Sequence, residues 1–211
     1  MKSFSHWTPR YVKNRVAEIY YHLICPHHPW LTHDANKILF SLLRNSDTGI
    51  EFGSGRSTLF FAKRIRHLIS IEHDEFWHHR VQRMLKDDMQ INVDYYLVPK
   101  DKDENKADTA AYVTFIEQFD SDSIDFVIID GVYRDFCALK ALRVICSGGM
   151  LIIDNVNWFL PCNSYSPNSR TFKEGPAGEV WELVYQSISK WRTIWTSSGV
   201  TDTAIFFKPC Q

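Results

Sequence analysis

No apolar run in the 211-residue chain approaches the roughly 18 residues that a membrane helix requires; the longest are short stretches such as 126–129 and 150–153. Residues 1–10 carry no apolar core of the kind that marks a secretory leader, so a cytoplasmic protein is expected. Glycine (9) and proline (8) are sparse and unclustered, and no repeat or low-complexity tract is visible. There is no C-x-x-C pair: Cys25, Cys137, Cys146, Cys162 and Cys210 are odd in number and far apart, as expected of free thiols in a reducing compartment. Charge of one sign is also missing. Lys+Arg 24 against Asp+Glu 25 leaves a net charge of -1, which removes any global field for holding nucleic acid or an anionic membrane. What is present is ordinary for a packed globular chain, 45% apolar and 23% charged. The length suits one domain with an appendage.

The hydropathy pattern divides the chain near residue 48. Before it, Val12, Val16, Ile19, Tyr20 and Leu23 recur at helical spacing up to Cys25-Pro26. A second helix is expected after Thr32, with Ala35, Ile38, Leu39, Leu42 and Leu43 on one face. Residues 1–47 therefore read as a helical N-terminal cap and 48–211 as the main domain. In that domain strands are expected at 49–52, 67–71, 93–98, 123–129 and 150–153, and helices at 57–65, 75–86, 109–119 and 136–146, the last closed by Gly148-Gly149. The charged stretch 100–108 is expected to be a solvated loop. Uninterrupted apolar strands alternating with helices predict a parallel α/β sheet covered on both faces. The runs 191–196 and 203–208, separated only by a turn at Ser198-Gly199, predict a closing antiparallel hairpin.

Open α/β sheets bind ligands beyond the carboxyl ends of their strands. The first strand here ends Glu51-Phe52-Gly53-Ser54-Gly55-Arg56-Ser57-Thr58, a glycine turn leading into a helix, and the second ends at Glu72, placed to take both hydroxyls of a ribose. A dinucleotide loop would carry a third glycine where this chain has Thr58. Glu51 would repel a pyrophosphate and attract a cationic ligand such as S-adenosylmethionine (SAM). The alternatives are an NAD(P)-dependent oxidoreductase, or a glycine turn without a ligand.

Those residues, with Ser70-Ile71-Glu72-His73-Asp74, Asp125-Phe126-Val127-Ile128-Ile129-Asp130-Gly131, Gly148-Gly149-Met150-Leu151-Ile152-Ile153-Asp154 and the closing hairpin, resemble the class I SAM-dependent methyltransferases over about residues 48–208. The resemblance implies a Rossmann-like seven-stranded, mostly parallel sheet of order 3-2-1-4-5-7-6 with strand 7 antiparallel. It also implies a cofactor site drawn from Glu51, Phe52, Gly53, Ser54, Gly55, Arg56, Ser57, Glu72, His73 and Asp130. The third glycine of the family's loop is Ser57 here.

Asp130 ends strand 4, and Asp154-Asn155 end strand 5 on the same rim. Two carboxylates and an amide oxygen make a possible site for Mg²⁺ or Ca²⁺. The set is similar to that of metal-dependent catechol-type O-methyltransferases, although Tyr133 stands where those enzymes carry a lysine. The block 130–137 looks more like uncharacterised methyltransferase-like proteins with a D-G-x-x-R-x-x-C pattern. Asp130, Arg134 and Asp154 are the catalytic candidates; Arg134 has two readings, a clamp on an anionic acceptor or a salt bridge to Asp130 or Asp154. The aperiodic segment 156–178, with Trp158, Phe159, Tyr165 and Phe172, is expected to form an acceptor-binding lid. Cys25, His27, His28 and His33 match no zinc spacing. The expected activity is SAM-dependent methylation of a small molecule, on oxygen, without nucleic acid or membrane as partner; a catalytically silent SAM-binding module is the alternative from another class.

Overall fold

The computed structural model describes residues 7–101 and 104–210. Its sheet runs β3-β2-β1-β4-β5-β7-β6. The strands are β1 (Thr48–Phe52), β2 (His67–Glu72), β3 (Val93–Leu97), β4 (Ile124–Ile129), β5 (Ile145–Asp154), β6 (Arg192–Ser197) and β7 (Asp202–Phe207). β7 lies antiparallel to both β5 and β6, and the remaining pairs are parallel. The expected strand order and closing hairpin are therefore those observed.

Alternation along each central strand feeds two cores. Phe52, Val127, Ile129, Leu151 and Ile153 point to the face covered by α5 (Ala111–Thr114), α6 (Arg134–Val144) and α7 (Glu179–Ile188). Phe126, Ile128 and Ile152 point the other way, onto α2 (His33–Leu42) and α3 (Arg56–Ala62) through Ala35, Leu39, Phe60 and Phe61. Burial on both faces is why these strands read as continuous apolar runs. Thr32 caps α2, its hydroxyl accepting from Ala35 N at 3.3 Å. Among the described residues, no helix is long and apolar enough to cross a membrane.

The structure departs from the sequence expectation in four places. α6 runs from Arg134 to Val144, two residues earlier at each end than expected, because Ile145 pairs with Ile124 and opens β5; Gly148-Gly149 lie inside that strand, within the irregular stretch of the ladder between Ile145 and Met150. The helix expected at 109–119 is the single turn α5 followed by a 3₁₀ turn, Phe115–Gln118. Of the charged stretch, Lys102 and Asp103 lie outside the described residues, and Glu104–Thr109 form a 3₁₀ helix. α7 was not anticipated, although Trp181, Val184 and Ile188 are spaced to place one buried face.

The first helix, α1 (Pro9–Ile24), presents its apolar stripe outward: Val16, Tyr20 and Leu23 are exposed, while Tyr21 and His22 are buried. Its polar side, with Asn14 and Glu18, faces the body of the protein. The segment 156–178 is bound down by its own hydrogen bonds. Asn157, fully buried, donates through Nδ2 to Pro167 O (3.1 Å) and Ser169 Oγ (3.0 Å) and accepts from Asp202 N (3.3 Å). Phe159 stacks on Trp181 at 4.8 Å, and Ser166 Oγ donates to Asp202 Oδ1 at 2.6 Å. Asn157 thus pins this segment to β7. Replacing it by Ala orphans several buried groups and should lower unfolding free energy by about 1–3 kcal/mol. The same change at exposed Asn163 should stay within about 0.5 kcal/mol. Urea denaturation of the two variants checks this; equal midpoints would refute it.

Candidate functional site

The candidate rim is the carboxyl edge of β1, β2, β4 and β5, where chain connectivity brings one acid from each strand or the residue after it. At the end of β1, Gly53 has φ +91°, and a Cβ there would stand 2.6 Å from Gly131 N, so glycine is required where the two strand ends touch. Gly55 is different. A Cβ there would meet Ser57 Oγ at 3.8 Å and the Trp77 indole at 3.9 Å, ordinary van der Waals contacts.

Glu51 is fully buried beneath that loop. Its Oε2 accepts from Thr58 Oγ1 (2.7 Å) and Ser70 Oγ (2.6 Å), while Oε1 has no hydrogen-bond partner among the described residues. Burial pushes its carboxyl up to about 7; the hydroxyls of Ser57, Ser70 and Thr58 draw it down, and the Asp130 charge adds to the rise.

Glu72, 2% exposed, closes the next strand. Its Oε2 accepts from Ser54 N (3.0 Å) and Ser54 Oγ (2.7 Å), and its Oε1 from His73 N (2.8 Å) and Asp74 N (2.9 Å). Those four donors fill the lone-pair sites of a carboxylate. His73 Nδ1 lies 2.9 Å from Oε1 without hydrogen-bond alignment. Two aromatic residues that the sequence reading did not assign to the loop hold its other side. Trp77 Nε1 donates to Ser54 O at 2.6 Å, and the Tyr95 hydroxyl meets Ser54 Oγ at 2.7 Å. Tyr95 faces Ser70 across the β2–β3 pair, so its position followed from register and not from any motif.

The other cofactor candidates divide. Ser57 is buried near Glu51, but Phe52 is core, packed against Tyr112 at 5.4 Å. Arg56 turns away from the loop to donate to His22 O (3.3 Å) and lie over Trp30.

At the ends of β4 and β5, Arg134 uses its whole guanidinium. Nε donates to Gly131 O (3.0 Å), Nη1 to Asp154 O (2.7 Å) and Asn155 Oδ1 (3.1 Å), and Nη2 to Asp130 O (2.8 Å) and Asp130 Oδ1 (2.9 Å). The five bonds account for all five N–H donors of the side chain. No donor is left to clamp an anionic acceptor, so of the two sequence readings the salt bridge to Asp130 is the one observed. Tyr133 and Asn155, which flank this arginine, both adopt left-handed backbone (φ +50° and +52°), a conformation costly for tyrosine. Asp154 accepts from Thr203 Oγ1 at 2.8 Å; burial, and then the Asp130 charge, push it up to about 8. Asp130 is raised as well, by burial, against the opposing pull of Arg134.

Asp130 and Asp154 border a cavity of about 450 Å³ that is also lined by Tyr11, Glu18, Trp30 and Trp158. The segment expected to act as an acceptor lid contributes Trp158, Pro167 and Asn168 to it. The metal set of Asp130, Asp154 and Asn155 is engaged otherwise: Asp130 Oδ1 and Asn155 Oδ1 accept from the guanidinium, and Asp154 Oδ1 accepts from Thr203 Oγ1. Among the described residues no group of three or more His, Cys, Asp or Glu is disposed to hold a metal ion, and the Cys25 and His28 region is no exception.

No family model matches the chain, and no curated protein does. Solved structures do. A methyltransferase-like protein from Silicibacter pomeroyi is 18% identical over 87% of this chain and 90% of its own, with a TM-score of 0.57. A methyltransferase from Geobacter sulfurreducens is 14% identical over 95% and 90%, with a TM-score of 0.55. An rRNA methylase from Streptococcus thermophilus is 12% identical over 85% and 96%, with a TM-score of 0.52. The chain thus has the Rossmann-like class I methyltransferase fold.

The raised carboxyl of Glu51 has a stability consequence. Its folded value, about 7, lies above the ordinary 4.5, so the folded protein holds an extra proton between those values. Its contribution is fully present below about pH 4.5 and is lost as pH rises through 7. Glu51→Gln should flatten this decline, raising the melting temperature at pH 8 by at least about 2 °C, the shift that roughly 1 kcal/mol produces in a chain of this size, and leaving it nearly unchanged near pH 4.5. Parallel melting curves at the two pH values test it.

Proposed function

We propose that the protein is a SAM-dependent methyltransferase acting on the hydroxyl of a small molecule. One observation carries the reading: within a methyltransferase fold, a fully buried Glu51, its carboxyl raised to about 7, lies beneath the glycine turn with one oxygen that lacks an aligned hydrogen bond. A pyrophosphate would bring anionic oxygens toward that buried acid, whereas a sulfonium or ammonium would restore its ionisation. This charge preference separates SAM from NAD(P).

The donor set fits SAM. Gly53, Ser54 and Gly55 would hold its methionine and ribose portions. Glu72 would accept ribose hydroxyls in exchange for the Ser54 hydroxyl, which is free to rotate toward Tyr95. His73 and Asp130 would flank the adenosyl group. When bound, SAM supplies an electrophilic methyl on sulfur.

The chain itself needs to position the acceptor, keep water out and take up one proton. Asp154 suits the last task. It borders the 450 Å³ cavity, and a carboxyl raised to about 8 is a far better proton acceptor near neutrality than an ordinary aspartate. Arg134 holds Asp130 and the β5 end in place and acts as a positioning residue. The cavity's size, and its roof on α1, favour a small molecule over a folded nucleic acid.

Titration calorimetry with S-adenosylhomocysteine should give one site. Glu72→Gln should weaken it at least about tenfold through loss of charge-assisted hydrogen bonds. Because binding draws Glu51 toward its ionised form, titrations at pH 6 should release protons, seen as a dependence of the heat on buffer ionisation enthalpy. Binding without proton release would remove Glu51 from the site. In single-turnover assays Asp154→Asn should slow methyl transfer by about 10²-fold or more, while EDTA leaves wild-type turnover unaltered.

A further inference from the structure

Along α1, six apolar side chains are left uncovered by the body of the protein: Val12, Val16, Ile19, Tyr20, Leu23 and Ile24, each between 43% and 73% exposed. Four of them, Val12, Val16, Ile19 and Leu23, are spaced by four, three and four residues, the seam that one helix offers to another lying beside it. Tyr20 and Ile24 widen the seam on one side. The docked side of α1 lies half a turn away. Tyr21 is buried there, Glu18 Oε1 accepts from Ser198 Oγ at 3.3 Å, and Asn14 sits so close to the β6–β7 turn that a Cβ on Gly199 would stand 2.0 Å from its Nδ2. The helix is therefore held by one face while an ordered apolar line on the other meets water, an arrangement that marks an interaction surface.

We propose that this seam is the contact between two copies of the chain, which pair through α1 antiparallel, about a twofold axis between Val16 and Ile19. In that register the seam is complementary to itself. Val12 meets the partner's Leu23 and Val16 meets the partner's Ile19, so that each smaller side chain faces a larger one through four layers of similar size. A parallel register would set valine on valine and leucine on leucine, in uneven layers, with the two helix dipoles aligned. Charge agrees with the antiparallel pair. No charged side chain lies on the seam itself. On one rim Lys13 comes opposite the partner's Tyr20, a ring that a cation can cover. On the other rim Arg15 is already paired with Glu18, and His22 is buried against Trp30, with ring centres 4.0 Å apart. Against an anionic lipid surface, by contrast, the stripe offers only Lys13 as an unpaired cation among the described residues, far from a polybasic patch. Because α1 turns Tyr11 and Glu18 toward the 450 Å³ cavity, pairing leaves the lining of that cavity in place.

The oligomeric state tests this without any methyl transfer. In sedimentation equilibrium the full chain should form a dimer that dissociates on dilution, with a dissociation constant on the order of 10⁻⁶–10⁻⁵ M, as suits a contact at the small end of specific interfaces. Val16→Lys and Ile19→Glu, each alone, should raise that constant at least about 30-fold, because either change puts two unpaired charges into the seam. Both positions face water in the single chain, so circular dichroism should show each variant folded. Mixed in equal amounts, the two variants should dimerise again: antiparallel pairing sets the introduced lysine beside the introduced glutamate in one layer and restores the native Val16–Ile19 layer in another. Parallel pairing would give no such rescue. The proposal is overturned if the unaltered chain stays monomeric at about 10⁻⁴ M, whether or not it binds vesicles of phosphatidylcholine and phosphatidylserine. Single variants that dimerise as tightly as the unaltered chain, or a mixture that stays monomeric, would overturn it as well.

Discussion

The surplus of buried negative charge at one edge of the sheet governs the rest of the structure. Glu51, Glu72, Asp130 and Asp154 lie at or next to the carboxyl ends of four strands, and one guanidinium pairs directly with Asp130. Parallel packing makes the surplus unavoidable: all four carboxyl ends share one edge, and helices on both faces keep most water away. The acids respond in different ways. Glu72 recruits four N–H and O–H groups, Asp130 takes the arginine, and Glu51 and Asp154 shift toward the protonated form. An edge in this state has low affinity for anions and a standing demand for cations.

This demand also explains the orientation of α1. An ordinary amphipathic helix would bury its apolar stripe, yet Val16, Tyr20 and Leu23 face outward while Tyr11, Asn14 and Glu18 face the cavities. Polar groups above the acid edge can share hydrogen bonds and ordered water with it; apolar side chains there would desolvate the carboxylates further. Arg15 and Glu18, paired at 2.5 Å, bring no net charge to the roof.

Much of the architecture was readable because two-sided burial prints itself directly on composition. The runs 126–129 and 150–153, and the tight spacing of the last two β segments, leave few arrangements other than a parallel sheet closed by a hairpin. Boundaries were less legible. Whether Ile145 ends a helix or opens a strand depends on its partner Ile124, which lies across the sheet. α7 went unread although its apolar spacing was available. Tyr95, by contrast, carried no local signal, since its value lies in reaching Ser54 from another element.

By itself the amino-acid order determined the strand sequence, the glycine turn and the acids at the strand ends, because periodicity, φ > 0 turns and the end of an apolar run are local properties. Only the tertiary structure decided what each acid does: that Glu51 has an oxygen without an aligned hydrogen bond, that Glu72 is filled by its own loop, and that Arg134 spends every donor on the oxygens at the ends of β4 and β5. Charge is read from composition, but desolvation and hydrogen-bond saturation are set by neighbours distant in the chain, and these fix whether a carboxylate is a ligand, a base or a strut.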